Sequence, residues 1–337
     1  MIKETRVRPC LLFPVIRQLP GFLLGFLSFV FLLVSTAHAA PAPLELLDAG
    51  RVDDAIRLFT PQAAGGNASA LNYLCRAYFA VGDWDNAVRN CERAARLDPS
   101  NAIFHLWLGR SYGEKANDSA ALSAYSLARK TVSSFSTAHA LDRKNVDIAR
   151  DLAEFYSTAP SIVGGGSDKA LGVATELAAQ HPADAAWVRA IVAAHEGNHP
   201  QAEHEYNEAI RLDNNSANAY LEFARYLRGR KRWDSFQEMV QRAMKSPHVR
   251  PSDRFDAAEL LLSANRNLPE AAQQIRTYIQ SGHTDESAPI FRAHFLLGEI
   301  LLKSGDPTRA AAEYRAALAL ASSYRPAADA LRHLDRR

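Results

Sequence analysis

His195-Glu196-Gly197-Asn198-His199 spells H-E-x-x-H, by which zinc proteases set two imidazoles one helical turn apart, with a carboxylate beside the metal-bound water. That chemistry needs one unbroken helix. Gly197-Asn198 is a turn signal and Pro200 follows at once, so the two imidazoles are expected to diverge. His204 is near in sequence but falls on the next helix. No metal site and no cofactor are expected. Gly164-Gly165-Gly166-Ser167-Asp168-Lys169 is rich enough in glycine to cradle phosphate. It lacks the Gly-Lys-Ser/Thr ending and the preceding strand that a P-loop requires. It reads instead as a flexible turn, with Ser167 or Asp168 capping the next helix. Asn67, Asn117 and Asn214 open glycosylation sequons at predicted turns. There is no G-x-S-x-G, no Cys-x-x-Cys and no convincing pair of catalytic carboxylates.

The elements that would position these residues recur with a period. From Ala70 to Asn101, apolar or small residues fall at Leu71, Leu74, Cys75 and Tyr78. After a break at Gly82-Asp83 they resume at Trp84, Ala87, Val88, Cys91, Ala94 and Ala95. That spacing predicts two amphipathic helices joined by a tight turn, stopped by Asp98-Pro99.

This unit resembles the tetratricopeptide repeat in Leu71, Leu74, Cys75, Tyr78, Gly82, Trp84, Ala87, Cys91, Ala94 and Pro99. Cys75 stands where a small residue is usual, and Cys91 where an aromatic is usual. A further copy opens at Leu108-Gly109 and is completed by Ala121, Tyr125 and Ala128. Others occupy residues 183–216 and 217–250, with Phe236 in a small-residue position of the latter, and a late one follows Leu297-Gly298. Leu44 to Gln62 reads as a truncated first unit, and 251–283 as a unit of unclear register. One unit is irregular: a long helix from Asp142 to Tyr156, a partner from near Asp168, and an insertion near 157–167 containing Pro160-Ser161-Ile162-Val163-Gly164-Gly165. Pro326 to Leu334 would be a capping helix. The resemblance implies an all-α, right-handed superhelical solenoid of about eight helix pairs over residues 41–337.

The resemblance also implies a concave groove, lined by the first helix of each pair, where partners dock. Its candidate residues are Asn72, Tyr73, Arg76, Trp107, Arg110, Trp187, Arg225, Arg228 and Phe295, with Phe79, Leu106, Glu114, Ile191, His195, Leu221, Glu222, Glu299 and Lys303 beside them. Each of these positions is either a partner contact or part of a solvated face packed on its neighbour. Some family members clamp a peptide C-terminus with Lys, Asn and Arg. Asn72 and Arg76 stand where Lys and Asn would be, so that clamp is not carried over. Cys75 and Cys91 lie on facing helices at positions resembling the family's close-packing sites. They form either a disulfide or two small apolar fillers.

The N-terminus bears on compartment. Residues 1–40 hold Lys3, Arg6, Arg8 and Arg17 against Glu4, then an apolar run from Gly21 to Val34, then Ala37-His38-Ala39. This reads as a cleaved signal peptide or an uncleaved anchor. Either exports the body to a periplasmic or secreted location, anchored at the inner membrane if uncleaved, and membrane contact is expected only then. The remaining 35 basic and 36 acidic residues give no bias towards nucleic acid. The expected function is an exported scaffold binding a protein or peptide along the groove, without catalysis. The alternative is a hydrolase or transferase with its active site there.

Overall fold

A computed structural model describes residues 43–336; the signal or anchor expected at 1–40 lies outside them. Seventeen α-helices and one 3-10 turn make up the fold, with no strand among the described residues. The helices pair as antiparallel hairpins: α1 (Pro43–Asp48) with α2 (Val52–Ala64), α3 (Ala68–Ala80) with α4 (Trp84–Leu97), and α5 (Ala102–Asn117) with α6 (Ala121–Leu141). Next come α7 (Val146–Thr158) with α8 (Ser167–Leu177), α9 (Pro182–His195) with α10 (His199–Leu212), and α11 (Ala217–Gly229) with α12 (Trp233–Lys245). The last are α13 (Pro251–Ser263) with α14 (Leu268–Gln280), and α15 (Ile290–Lys303) with α16 (Pro307–Leu320). α17 (Arg325–Asp335) closes the series after the eighth hairpin. Each hairpin packs on the next, giving an all-α repeat solenoid.

One packing rule repeats within the hairpins. A small residue on the first helix faces a residue sixteen places on. Gly298 meets Tyr314, and a Cβ built on Gly298 would stand 2.5 Å from that ring. Ala190 and Tyr206, and Ala224 and Val240, occupy the same two buried places. So do Cys75 and Cys91, which are joined by a disulfide with Cα atoms 5.3 Å apart. Both cysteines are fully buried. Most of the turns between paired helices carry a left-handed residue. Gly82 and Gly305 supply it in two hairpins, and Lys231 and Asn265 in two others. Asn265 marks the turn of hairpin 251–280, whose register the glycine pattern could not give.

The third and fourth hairpins correct the sequence reading. Tyr125, expected in the core, is exposed, and so is Leu122 beside it. α6 runs 21 residues with no breaker before Asp142, so its first turns overshoot. Phe135 takes the core place instead, with a Cβ built on Gly109 only 2.4 Å from its ring. The helix expected from Asp142 begins at Val146, because Asn145 caps it by accepting from the N–H groups of Asp147 and Ile148.

The insertion is an ordered turn. Ser161–Val163 forms the 3-10 turn, and Val163 is buried. The Gly166 N–H donates to the Tyr156 carbonyl at 2.8 Å. A Cβ on Gly165 would lie 1.8 Å from the Ala159 carbonyl oxygen, so only glycine fits. Gly166 itself precedes α8, and neither Ser167 nor Asp168 provides the expected cap.

Candidate functional site

The first hairpin returns to meet the last. Gly50, in the α1–α2 turn, sits against Pro289, Ile290 and Phe291 at the start of α15. The Asp53 carboxylate accepts the Ser322 N–H at 3.0 Å. Arg76 on α3 donates through Nε to Glu286 Oε1 at 2.8 Å, and its Nη2 reaches the other carboxylate oxygen. Only 13% of the Arg76 side chain and 16% of the Glu286 side chain are exposed.

This closing contact bounds a hollow of about 1400 Å³. The first four hairpins form one wall. The loop before α15, the start of α15 and the start of α17 form the other. Aromatic rings floor it: Phe79 meets Trp84 and Trp107 edge to face, each at 5.3 Å. The Arg76 and Arg110 guanidiniums stack on Trp107 at 5.0 and 4.9 Å. Arg110 is held by Asp151 of the next hairpin at 2.6 Å. The insertion contributes Pro160 and Val163 to the wall.

Of the nine groove candidates, Arg76, Trp107 and Arg110 line this hollow. Asn72 and Trp187 are buried, against expectation. α1 and α2 cover the α3 face that bears Asn72, whose Nδ2 has no hydrogen-bond partner among the described residues. The Arg150 guanidinium lies 4.0 Å over the Trp187 ring and hides it. Leu106 and Leu221 are core residues too. Tyr73 packs on Phe59, and Phe295 on Tyr314 and Tyr324. Arg225 and Arg228 lie on α11 outside the hollow; Arg228 donates to Ser263 Oγ at 2.7 Å, and Arg225 stands 3.6 Å from Glu222. Sequence reasoning missed the insertion as a wall and Glu154 on α7, and missed Glu286, Arg292 and Tyr324, which reach the hollow only because the ends meet.

His195 ends α9 and His199 begins α10, with Gly197 left-handed between them. The Tyr226 hydroxyl lies 3.2 Å from His199 Nδ1. No group of three or more His, Cys, Asp or Glu could hold a metal among the described residues. Among the described residues, Glu154 and Asp256 carry carboxyls with no ion-pair partner within 4.0 Å. Burial raises the Glu154 carboxyl above the usual range, and Glu222 and Asp151 add to it. Burial pushes Asp256 up to about 6, opposed by Arg225 and reinforced by Glu259, Glu222 and Asp253.

The Asp256 shift has a consequence for stability. Its folded value exceeds the unfolded value of about 3.9, so the native state holds a proton that the unfolded chain releases. Its contribution to stability therefore falls as pH rises from about 4 to about 6, and the penalty is complete above that. Asp256→Asn should stabilise the protein by about 1–3 kcal/mol at pH 8 and by almost nothing below about pH 4. Urea unfolding of both proteins at the two pH values checks this.

The tetratricopeptide repeat family matches residues 164–219 and 254–325, and a TPR repeat matches residues 76–115. The chain belongs to the tetratricopeptide repeat family. Among solved structures, yeast Tom70 is similar at 16% identity and a TM-score of 0.50, over 85% of this chain and 58% of that one. This chain thus spans little more than half the Tom70 length. A tetratricopeptide repeat protein from Parabacteroides merdae aligns at 17% identity and a TM-score of 0.39, over 84% and 98% of the two chains. A thermophilic TPR protein of Thermus thermophilus aligns at 17% identity and a TM-score of 0.44, over 55% and 99%. No curated protein matches by sequence. The Tom70 likeness speaks to the fold alone.

Proposed function

We propose that this chain is an exported, non-catalytic scaffold that takes a segment of a partner protein into the hollow between its first four hairpins and its last. The observation that carries the reading is the hollow itself, about 1400 Å³ in volume and floored by Phe79, Trp84 and Trp107. That volume exceeds the roughly 300–1000 Å³ of small-molecule sites and suits several residues of extended chain. Aromatic and Arg side chains are the types that anchor interfaces. Export is supported by the basic, apolar and small-x-small succession before residue 41. The Cys75–Cys91 bridge suits an oxidising compartment. N-terminal sequencing of protein from the cell envelope is expected to begin at Ala40.

Trp107→Ala tests the binding reading. A buried aromatic anchor is worth about 2 kcal/mol or more at an interface, so partner recovery should fall at least about tenfold. Quantitative mass spectrometry of material co-purified from the native envelope reads this, with a melting curve to show that the variant folds. Equal recovery by a folded variant would remove the hollow from the account.

A further inference from the structure

We propose that the hollow selects a cationic partner: an extended protein segment whose lysine or arginine side chains end at Glu114 and Glu154 while its apolar side chains pack on Phe79, Trp84 and Trp107. This rests on the reading that the hollow receives a partner segment. Seven carboxylates line the hollow against four guanidiniums. The arginines are largely spoken for. Arg76 is paired with Glu286, Arg110 with Asp151 and Arg292 with Glu259. The fourth, Arg325, is exposed.

The carboxylates are not matched in the same way. Asp118 takes the Trp84 indole N–H at 2.9 Å, and Asp285 takes the Ser287 hydroxyl at 2.7 Å. Asp48 accepts a backbone N–H from Glu286. Glu114 and Glu154 have neither an ion pair nor a side-chain hydrogen bond among the described residues. They stand on α5 and α7, the first helices of adjacent hairpins.

An acidic or phosphate-bearing partner would have to break existing pairs and face the surplus carboxylates. A cation meets unpaired carboxylates without displacing anything. Walls of protein raise the strength of that attraction above its value in bulk water. Glu154, exposed within the hollow, is crowded by protein and by Glu222 and Asp151, which disfavour its charge, and Arg150 and Arg225 relieve this only in part. An incoming cation removes part of that cost. The aromatic floor adds contact area beside the charges, and its ring faces attract cations too.

The test uses the disulfide-bonded body from residue 41 onwards and pools of twelve-residue peptides. The pools alternate leucine or tyrosine with lysine or arginine, with aspartate or glutamate, or with serine. The cationic pool should be retained at least about tenfold better than the other two. Its retention should fall as salt rises from about 0.05 M to about 0.5 M. Glu114→Gln with Glu154→Gln should lose that advantage while circular dichroism stays unchanged and the melting temperature does not fall. Equal retention of all three pools, abolished by Trp107→Ala, would overturn the charge preference and leave the hollow as the binding site. Unchanged cationic retention in the double Gln variant would also overturn it. Retention of no pool would count against both the preference and the hollow.

Discussion

Arg76→Glu is expected to open the contact between the two ends of the solenoid. The Arg76–Glu286 pair is largely buried and bidentate. Breaking a buried pair costs about 3–5 kcal/mol, because the surviving charge is left uncompensated. Here the new carboxylate would face Glu286 and Asp48 at once. The cost falls on the closing contact, since each hairpin also packs on its neighbours in the chain. Small-angle scattering should show a larger radius of gyration for residues 41–337, with helicity unchanged. Hydrogen exchange should rise at the α1–α2 turn and at the start of α15. Arg76→Glu combined with Glu286→Arg should restore part of the closure. An unchanged radius of gyration in the single variant would mean that Gly50 and Asp53 hold the ends without the ion pair.

Loss of the disulfide should act on a different part of the molecule. Cys75→Ser with Cys91→Ser removes a bridge that closes a loop sixteen residues apart in sequence. In the chain-entropy picture such a bridge is worth about 3 kcal/mol. The loss lands on α3 and α4, which support the truncated first hairpin and carry Arg76. The melting of the first two hairpins should therefore separate from that of the rest, as repeat arrays allow. Protection from exchange should drop in residues 43–97 and at the start of α15, which they contact, and hold in residues 199–280. Uniform melting at the wild-type temperature would show that the bridge is thermodynamically idle.

How far these features were legible follows from the physics of each. Hairpins were readable because apolar and small residues recur at three- and four-residue spacing on either side of a turn, in the pattern of the tetratricopeptide repeat. The family pattern put Cys75 and Cys91 on facing helices, open to a bridge or to two apolar fillers, and the structure joins them. The pattern failed at Tyr125, because helix length is set by where a breaker falls, and α6 has none until Asp142. It also failed at the α13–α14 turn, where Asn265 does the work of glycine.

The site was less legible. Trp107, Arg76 and Arg110 could be named from their positions on first helices. Asn72 and Trp187 occupy comparable positions but are covered, by the first hairpin in one case and by Arg150 in the other. Local periodicity does not report what a neighbouring unit lays across a face. Nor does it report that Arg76 meets Glu286 across 210 residues. Whether the ends of a solenoid meet depends on small rotations summed over every hairpin, and no single repeat encodes that sum.

The central claim is that a partner segment lies inside the hollow. Site-specific photo-crosslinking in the native envelope tests it most directly. A photoreactive phenylalanine analogue would replace Phe155, on the wall of the hollow, or Leu122, exposed on α6 outside it. The account predicts a covalent adduct with a partner protein from position 155 and none from position 122. Adducts from 122 alone, or equally from both, would contradict it.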